Sequence, residues 1–143
     1  MQVRKANAEW KGNLPEGTGV VSTESGVLSN AGYSFGSRFE SGVGTNPEEL
    51  IAAAHAGCYA MAFANELSSA GHTPDWVRVE GRAHLEKTDG GPGLTRIELI
   101  CEAKVPGIEE DEFQSIAEGA RTGCPISKAL AAIEIQLKAT LQS

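Results

Sequence analysis

The sequence predicts an α+β domain in which antiparallel sheets pack around central helices. Three observations lead to this fold class: a long apolar helical segment near the middle of the chain, two alternating apolar and polar stretches after it, and the order of the elements. That order is strands, helix, strands, helices and a last strand. Such segregation favours an antiparallel sheet packed on helices over a doubly wound parallel sheet.

The first strands are predicted at Val20–Val21 and at Tyr33–Phe39, with the Gly- and Ser-rich stretch Ser22–Gly32 forming turns between them. Together they form an antiparallel N-terminal unit.

A helix is predicted to begin at Asn46, which suits the N-cap, with Pro47 at the first helical position and Glu49 where a capping box needs it. It runs to about Ser69, and Gly71 is a suitable stop. The segment is apolar nearly all round, which is typical of a helix surrounded by protein. We therefore expect it to be the central helix of the fold.

Two strands follow, because apolar residues alternate with polar ones from Val77 to Leu85 and again from Ile97 to Val105. The stretch Asp89–Gly93 between them predicts a hairpin.

The last third of the chain predicts two helices and one strand. Pro106-Gly107 ends the preceding strand, and four acidic residues, 109–112, crowd the first turn of the next helix, where negative charge is favourable. A short helix begins again after Cys124-Pro125, and residues 133–141 alternate as a final strand. The apolar face of the longer helix comprises Phe113, Ile116, Ala117 and Ala120.

Size and charge limit the possible functions. A chain of 143 residues is long enough for one domain, residues 1–143, with a hydrophobic core that needs no disulfide or metal. The net charge of −7 and the lack of a Lys/Arg cluster argue against binding to nucleic acid or to an anionic membrane surface.

Nothing in the sequence predicts export or membrane insertion. The stretch Met1–Gly12 has no apolar core of a secretory signal, so we expect a cytoplasmic protein. The longest apolar stretch, Leu50–Ala64, includes His55 and is shorter than the roughly 20 residues that span a bilayer.

The three cysteines have different surroundings. Cys101 is in phase with the buried face of its strand, where a thiol acts as a small apolar side chain. Cys58 lies on the apolar helix, and burial there would make it an inert core residue. Cys124 precedes Pro125 at a helix start, where free backbone N–H groups and the helix dipole lower the pKa of a thiol, although a plain turn residue fits there too.

The spacing of the cysteines argues against a thioredoxin-type motif and against a zinc site. Cys58 and Cys124 are 66 residues apart and neither belongs to a C-x-x-C motif. A zinc site needs about four ligands, whereas only His55 and Cys58 share a helix face. His55 is therefore expected to be a core histidine, although beside a thiol it would also bias ionisation. A redox function explains the thiols better than metal binding does. We therefore expect no metal and no cofactor.

Several motifs resemble the osmotically inducible protein C and organic hydroperoxide resistance (OsmC/Ohr) family. They are Arg38-Phe39-Glu40, the stretch from Gly44 to Cys58 and Gly123-Cys124-Pro125-Ile126-Ser127. The resemblance extends to Ser22–Leu28 and Val105–Ile108 and favours the osmotically inducible branch.

The resemblance implies a peroxidase that acts in oxidative and osmotic stress defence as an intertwined homodimer. By position, Cys58 attacks the hydroperoxide and becomes a sulfenic acid, and Cys124 resolves it to a disulfide. A dithiol or a lipoylated protein would then reopen the disulfide. Apolar residues around Cys58 favour organic hydroperoxides over hydrogen peroxide; they are Ile51, Tyr59, Met61 and Phe63.

An arginine held by a carboxylate is the expected activator of the thiol. The hydroperoxide resistance branch carries its arginine in an N-terminal glycine-rich strand, but the corresponding stretch here, Gly17–Ser25, has none. Arg38 is the substitute that we predict. Glu48 is its expected partner, because Glu49 at the third helical position is needed for the capping box.

Glu48 and Cys58 are ten residues apart on one predicted helix, a rise of about 15 Å, which is too far for their side chains to meet. We therefore expect the glutamate beside each cysteine to come from the partner helix of a symmetric dimer. Two rival hypotheses stay open at this point. One is a metal-binding protein that uses His55, Cys58 and Cys124, and the other is a non-catalytic stress module with structural cysteines.

Overall fold

The computed structural model describes all 143 residues and has the α+β composition that the sequence predicts. The chain divides into two compact units, Met1–Leu50 and Ile51–Ser143, here called the N-terminal unit and the C-terminal unit. Each contains one three-stranded sheet. None of the four helices has the length and apolar character that a bilayer crossing requires.

The sheet of the N-terminal unit is antiparallel and consists of β1 (Ala6–Lys11), β2 (Thr18–Thr23) and β3 (Ala31–Tyr33) in that order. Trp10 and Tyr33 pack over Gly19, with ring centroids 5.5 Å apart. A Cβ atom on Gly19 would lie 2.6 Å from both rings, so only glycine fits between them.

The predicted strand Tyr33–Phe39 is wrong beyond its first residue. The chain turns at Ser34 into a short helix, α1 (Phe35–Phe39). The Ser34 hydroxyl accepts from the backbone N–H of Ser37, and the Ser37 hydroxyl accepts from the backbone N–H of Ser34. This capping box satisfies two backbone donors locally and outweighs the preference of aromatic residues for strands.

The long helix α2 (Pro47–Ser69) begins and ends as predicted. Asn46 Oδ1 accepts from the backbone N–H of Glu49 at 2.7 Å, and Gly71 follows the helix with a φ of +92°. The second half of the predicted capping box is wrong. The Glu49 carboxylate accepts from the Thr45 hydroxyl at 2.8 Å instead of reaching the Asn46 N–H.

The sheet of the C-terminal unit contains the predicted hairpin, β4 (Trp76–Thr88) and β5 (Gly91–Lys104), followed by β6 (Glu134–Gln142). One pairing departs from the antiparallel prediction, because β6 lies parallel to β5. The two helices between them, α3 (Glu110–Gly123) and α4 (Pro125–Ala129), carry the chain back to the starting end of β5. A parallel pair needs such a crossover.

The core of the C-terminal unit lies between α2, α3 and the hairpin. The Tyr59 hydroxyl donates to the Ala117 carbonyl at 2.9 Å and joins α2 to α3. Every residue of the predicted α3 face belongs to this core or packs against it. The fully buried side chains of the core include Tyr59, Phe63, Leu67, Ile97, Leu99, Cys101 and Phe113.

One side of α2 is uncovered in the single chain, contrary to the expectation that protein surrounds it. Ala53, Ala54, Gly57 and Met61 are exposed, and Met61 has 77% of its surface accessible. We call these four residues the α2 stripe. Its small apolar side chains allow another backbone to approach closely.

Candidate active site

The sulfur atoms of Cys58 and Cys124 lie 3.0 Å apart. Cys58 is the twelfth residue of α2 and is partly exposed, whereas Cys124 is fully buried at the junction of α3 and α4. Both are free thiols. The fold therefore brings together two reduced cysteines that are 66 residues apart in sequence.

Contacts around Cys124 favour its thiolate. Burial raises the pKa of this thiol, but the contact with Cys58 and the polar groups of Ser127 and Ile126 outweigh burial and hold the pKa below its usual value. Pro125 occupies the first position of α4, and the backbone N–H groups of residues 126 and 127, in the first turn of that helix, lower the pKa of the thiol.

The surroundings of Cys58 in the C-terminal unit have the opposite effect. Burial and the contact with Cys124 raise the pKa of the Cys58 thiol, and only the backbone N–H of Ile126 lowers it. The C-terminal unit thus lacks a positive charge that would activate Cys58.

His55 lies one turn before Cys58 on α2 and is fully buried, as expected of a core histidine. Its Nε2 atom lies 2.7 Å from the Ser127 hydroxyl, while its Nδ1 atom is buried without a hydrogen-bond partner. Burial lowers the pKa of His55, so the ring is neutral. The sequence pattern did not single out Ser127, although its position three residues after Cys124 at a helix start was a signal that it would face the thiol.

Arg38 and Glu48 form the predicted bidentate pair within the N-terminal unit. Arg38 Nε donates to Glu48 Oε1 at 2.9 Å and Arg38 Nη2 donates to Glu48 Oε2 at 3.3 Å. The carboxylate is buried, whereas 38% of the arginine side chain is accessible. The Asn46 side chain donates to the Ser37 carbonyl at 3.1 Å and ties the segment that carries Arg38 to the start of α2.

An aromatic groove of about 420 Å³ adjoins Arg38 in the same unit. The guanidinium group lies over the Phe39 ring, 5.2 Å from its centroid. The sequence pattern gave no sign of this groove, because its walls come from distant segments. Its apolar lining residues are Trp10, Leu14, Tyr33, Phe35 and Phe39.

The family model of OsmC-like proteins matches residues 39–138. The chain belongs to the OsmC-like family. It is 46% identical to the peroxiredoxin OsmC of Escherichia coli K12 over 140 residues, which covers 98% of this chain and 97% of that protein. It is 33% identical over 93 residues to an organic hydroperoxide resistance protein of Xanthomonas axonopodis pv. citri, with 62% of this chain and 61% of that protein covered.

Solved structures of OsmC-like proteins have the same fold. The organic hydroperoxide resistance protein OhrB of Bacillus subtilis superposes with a TM-score of 0.68 at 24% identity, over 96% of this chain and 98% of that one. An OsmC-like protein from Mycoplasma pneumoniae gives a TM-score of 0.73 at 19% identity, over 99% of both chains. The predicted α+β, OsmC-like fold is thereby confirmed.

The third cysteine of this OsmC-like chain lies in the core, as predicted. Cys101 is fully buried on β5. Burial, with a smaller effect of Glu102, raises the pKa of its thiol to about 12. At neutral pH it is therefore an unreactive apolar side chain.

The metal-binding alternative finds no support in this OsmC-like structure. No group of three or more His, Cys, Asp or Glu side chains has an arrangement that would hold a metal ion. His55 directs Nε2 to Ser127 and leaves only Nδ1 unpaired, so His55, Cys58 and Cys124 do not form a ligand set.

Proposed function

We propose that the chain is a thiol-dependent peroxidase that reduces organic hydroperoxides, and hydrogen peroxide less well, through Cys58 and Cys124. The 3.0 Å separation of the two sulfur atoms carries the proposal, because it lets a sulfenic acid on one condense with the other. The names of the Escherichia coli and Xanthomonas relatives, a peroxiredoxin and an organic hydroperoxide resistance protein, support the same activity.

The difference in exposure supports the order in which we propose that the two thiols react. Cys58 is partly exposed and meets the hydroperoxide first, whereas Cys124 is fully buried and reaches only Cys58. The Cys58 thiolate attacks the terminal peroxide oxygen, the O–O bond breaks, and the alcohol leaves with a proton. Cys124 then displaces hydroxide from the sulfenic acid, and a disulfide and water form.

Activation of Cys58 requires a positive charge that the C-terminal unit does not supply. We assign this role to Arg38, which the buried Glu48 carboxylate holds by two hydrogen bonds. We further propose that it acts on Cys58 of the partner subunit in a homodimer. The uncovered α2 stripe supports a dimer, because exposed apolar residues on a helix indicate an interface.

The aromatic groove beside Arg38 supports the organic substrate class, because its walls suit an alkyl or aryl group whose peroxide end points to the guanidinium. A small dithiol or a lipoylated protein would reopen the disulfide. The three free thiols suit the reducing cytoplasm, where we place the protein.

The proposed activity is tested by mass spectrometry of the protein after one equivalent of cumene hydroperoxide. We expect a loss of two hydrogens per chain, mapped to a peptide that links Cys58 to Cys124, and recovery of both thiols with dithiothreitol. A link from Cys58 to Cys101, or hydroperoxide consumption that persists in Cys58→Ser, would contradict the proposal and favour structural cysteines.

The shared site is tested by mixing two inactive variants, Cys58→Ser and Arg38→Ala, after unfolding and refolding them together. If Arg38 serves the partner's Cys58, each mixed dimer contains one intact site. Random pairing makes half of the dimers mixed, so about a quarter of the wild-type activity should return. If arginine and cysteine of the same chain form the site, the mixture stays inactive. Each variant refolded alone is the control.

A further inference from the structure

We propose that His55 and Ser127 are positioning residues for Cys124, with His55 fixing the Ser127 hydroxyl so that it donates to the Cys124 sulfur during resolution. The proposal rests on the proposed peroxidase function and adds two residues to it. Both are almost completely inaccessible, with 0% of His55 and 3% of Ser127 exposed. Ser127 is the third residue of α4, whose N-cap is Cys124, and its hydroxyl helps to lower the pKa of that thiol.

The unpaired Nδ1 atom favours one tautomer of His55. A buried N–H without an acceptor is rarer in proteins than a buried acceptor without a donor. The ring is neutral and Nδ1 has no partner, so the proton belongs on Nε2. His55 Nε2–H then donates to Ser127 Oγ over 2.7 Å.

That tautomer determines what the Ser127 hydroxyl does. A serine hydroxyl has one proton to donate and accepts through its lone pairs. Since Ser127 Oγ accepts from His55, its own proton is free for the Cys124 sulfur. The order of donation is therefore His55 to Ser127 to Cys124, and it stabilises negative charge on the last atom.

The stabilised thiolate is needed in the second chemical step. The Cys124 sulfur attacks the Cys58 sulfenic sulfur, the S–S bond forms and the S–O bond breaks. The hydroxide that leaves combines with the proton that Cys124 has released, so the products are one disulfide and one water. The Cys58 sulfur is reduced and the Cys124 sulfur is oxidised by the same amount. When this step is slow, a second hydroperoxide oxidises Cys58 to the sulfinic acid.

The test compares Ser127→Ala and His55→Leu with wild type in a single turnover with cumene hydroperoxide. Both variants should form the disulfide about tenfold more slowly, the effect of losing one hydrogen bond to an ionised group. The fraction of Cys58 found as sulfinic acid should rise at high hydroperoxide, while sulfenic acid formation keeps its wild-type rate. Ser127→Thr and His55→Gln retain a donor and should recover most of the disulfide rate.

The double variant separates a relay from two independent effects. Because His55 acts through Ser127, His55→Leu with Ser127→Ala should be no slower than Ser127→Ala alone. A further tenfold loss in the double variant, or a wild-type disulfide rate in His55→Leu, would overturn the proposal. Tyr59→Phe is the matched control. The Tyr59 ring is fully buried in the core, where no substrate reaches it, and the change removes only its hydrogen bond to the Ala117 carbonyl, so the wild-type rate should be kept.

A measurement without hydroperoxide keeps the proposal separate from the peroxidase function. Thiolate absorbance near 240 nm, recorded as a function of pH, measures the ionisation of the thiols. Cys58 and Cys124 are in contact and titrate as a pair, so the midpoint of interest is that of the first ionisation of this pair. Ser127→Ala should raise its midpoint by about one pH unit. An unchanged midpoint would refute the relay even in an active peroxidase. A raised midpoint in a protein that consumes no hydroperoxide would refute only the peroxidase function.

Discussion

Cys58 Sγ and Cys124 Sγ are in contact at 3.0 Å, yet one thiol is partly exposed and the other fully buried. This unequal exposure supports different roles for two chemically identical side chains. In the proposed reaction, the exposed sulfur meets the hydroperoxide and the buried sulfur reacts with the oxidised Cys58. The polar groups that favour a thiolate act on the buried sulfur, which is the proposed resolving nucleophile.

Replacing each cysteine in turn should give three different outcomes. Cys58→Ser should abolish hydroperoxide consumption. Cys124→Ser should consume one equivalent to form the sulfenic acid and a second, more slowly, to form the sulfinic acid, and then stop, because the sulfenic acid has no thiol to condense with. Cys101→Ala should retain activity, since its thiol is buried in the core. Hydroperoxide assays with intact-protein mass spectrometry check this series, and loss of activity in Cys101→Ala with an intact fold would contradict it.

The pair of Arg38 and Glu48 should matter for the first chemical step. Arg38→Lys removes the bidentate geometry and Glu48→Gln removes the charge that holds the guanidinium, so we expect Cys58 oxidation to slow about 10- to 100-fold in each. Stopped-flow tryptophan fluorescence or competition for a limiting hydroperoxide measures the rate.

The neighbouring carboxylate provides the control for this prediction. Glu49→Gln changes the same charge one residue along α2, but Glu49 Oε2 contacts only the Thr45 hydroxyl. Its oxidation rate should stay within about twofold of wild type, as expected of an exposed side chain outside the site. Equal losses in Glu48→Gln and Glu49→Gln would indicate a general effect of charge.

Alkaline pH should destabilise the reduced protein through Cys101. Its pKa is raised from 9.0 to about 12 in the folded state, so the folded thiol keeps its proton where the unfolded thiol loses it. This contribution is complete below pH 9 and is lost as the pH rises toward 12, with a slope of up to about 1.4 kcal/mol per pH unit. Urea unfolding from pH 8 to 10.5 should show a steeper fall for wild type than for Cys101→Ala. Parallel curves would contradict the assignment.

The α2 stripe should hold the dimer together. Met61→Lys places a charge on the stripe, and we expect dissociation to monomers at micromolar concentration together with loss of peroxidase activity. Sedimentation velocity and activity are measured on the same samples. Val27→Lys is the control, because Val27 is 85% exposed but lies on a turn of the N-terminal unit. A monomer with full activity would exclude the shared site.

Local sequence rules predicted most of the elements, because their signals lie within a few residues. Asn46 and Pro47 begin α2 where capping rules place its start, and Asp89–Gly90 form the turn of the hairpin. The error at Phe35–Phe39 has a local cause as well. Ser34 and Ser37 cap α1 by reciprocal hydrogen bonds. The prediction gave more weight to the strand preference of the aromatic residues Phe35 and Phe39 than to this capping signal.

By itself the sequence determined the fold class and the burial of Cys101, because helix caps and alternation are properties of neighbouring residues, and the family motifs pointed to Arg38 and Glu48 as a pair. Only the tertiary structure decided that β6 pairs in parallel with β5, that the His55 ring contacts the Ser127 hydroxyl, and that the two sulfur atoms touch. Each of these relationships joins residues that are far apart in the chain. The geometry of each relationship depends on how α2 packs against α3 and the hairpin. A pattern within a few neighbouring residues does not predict that packing.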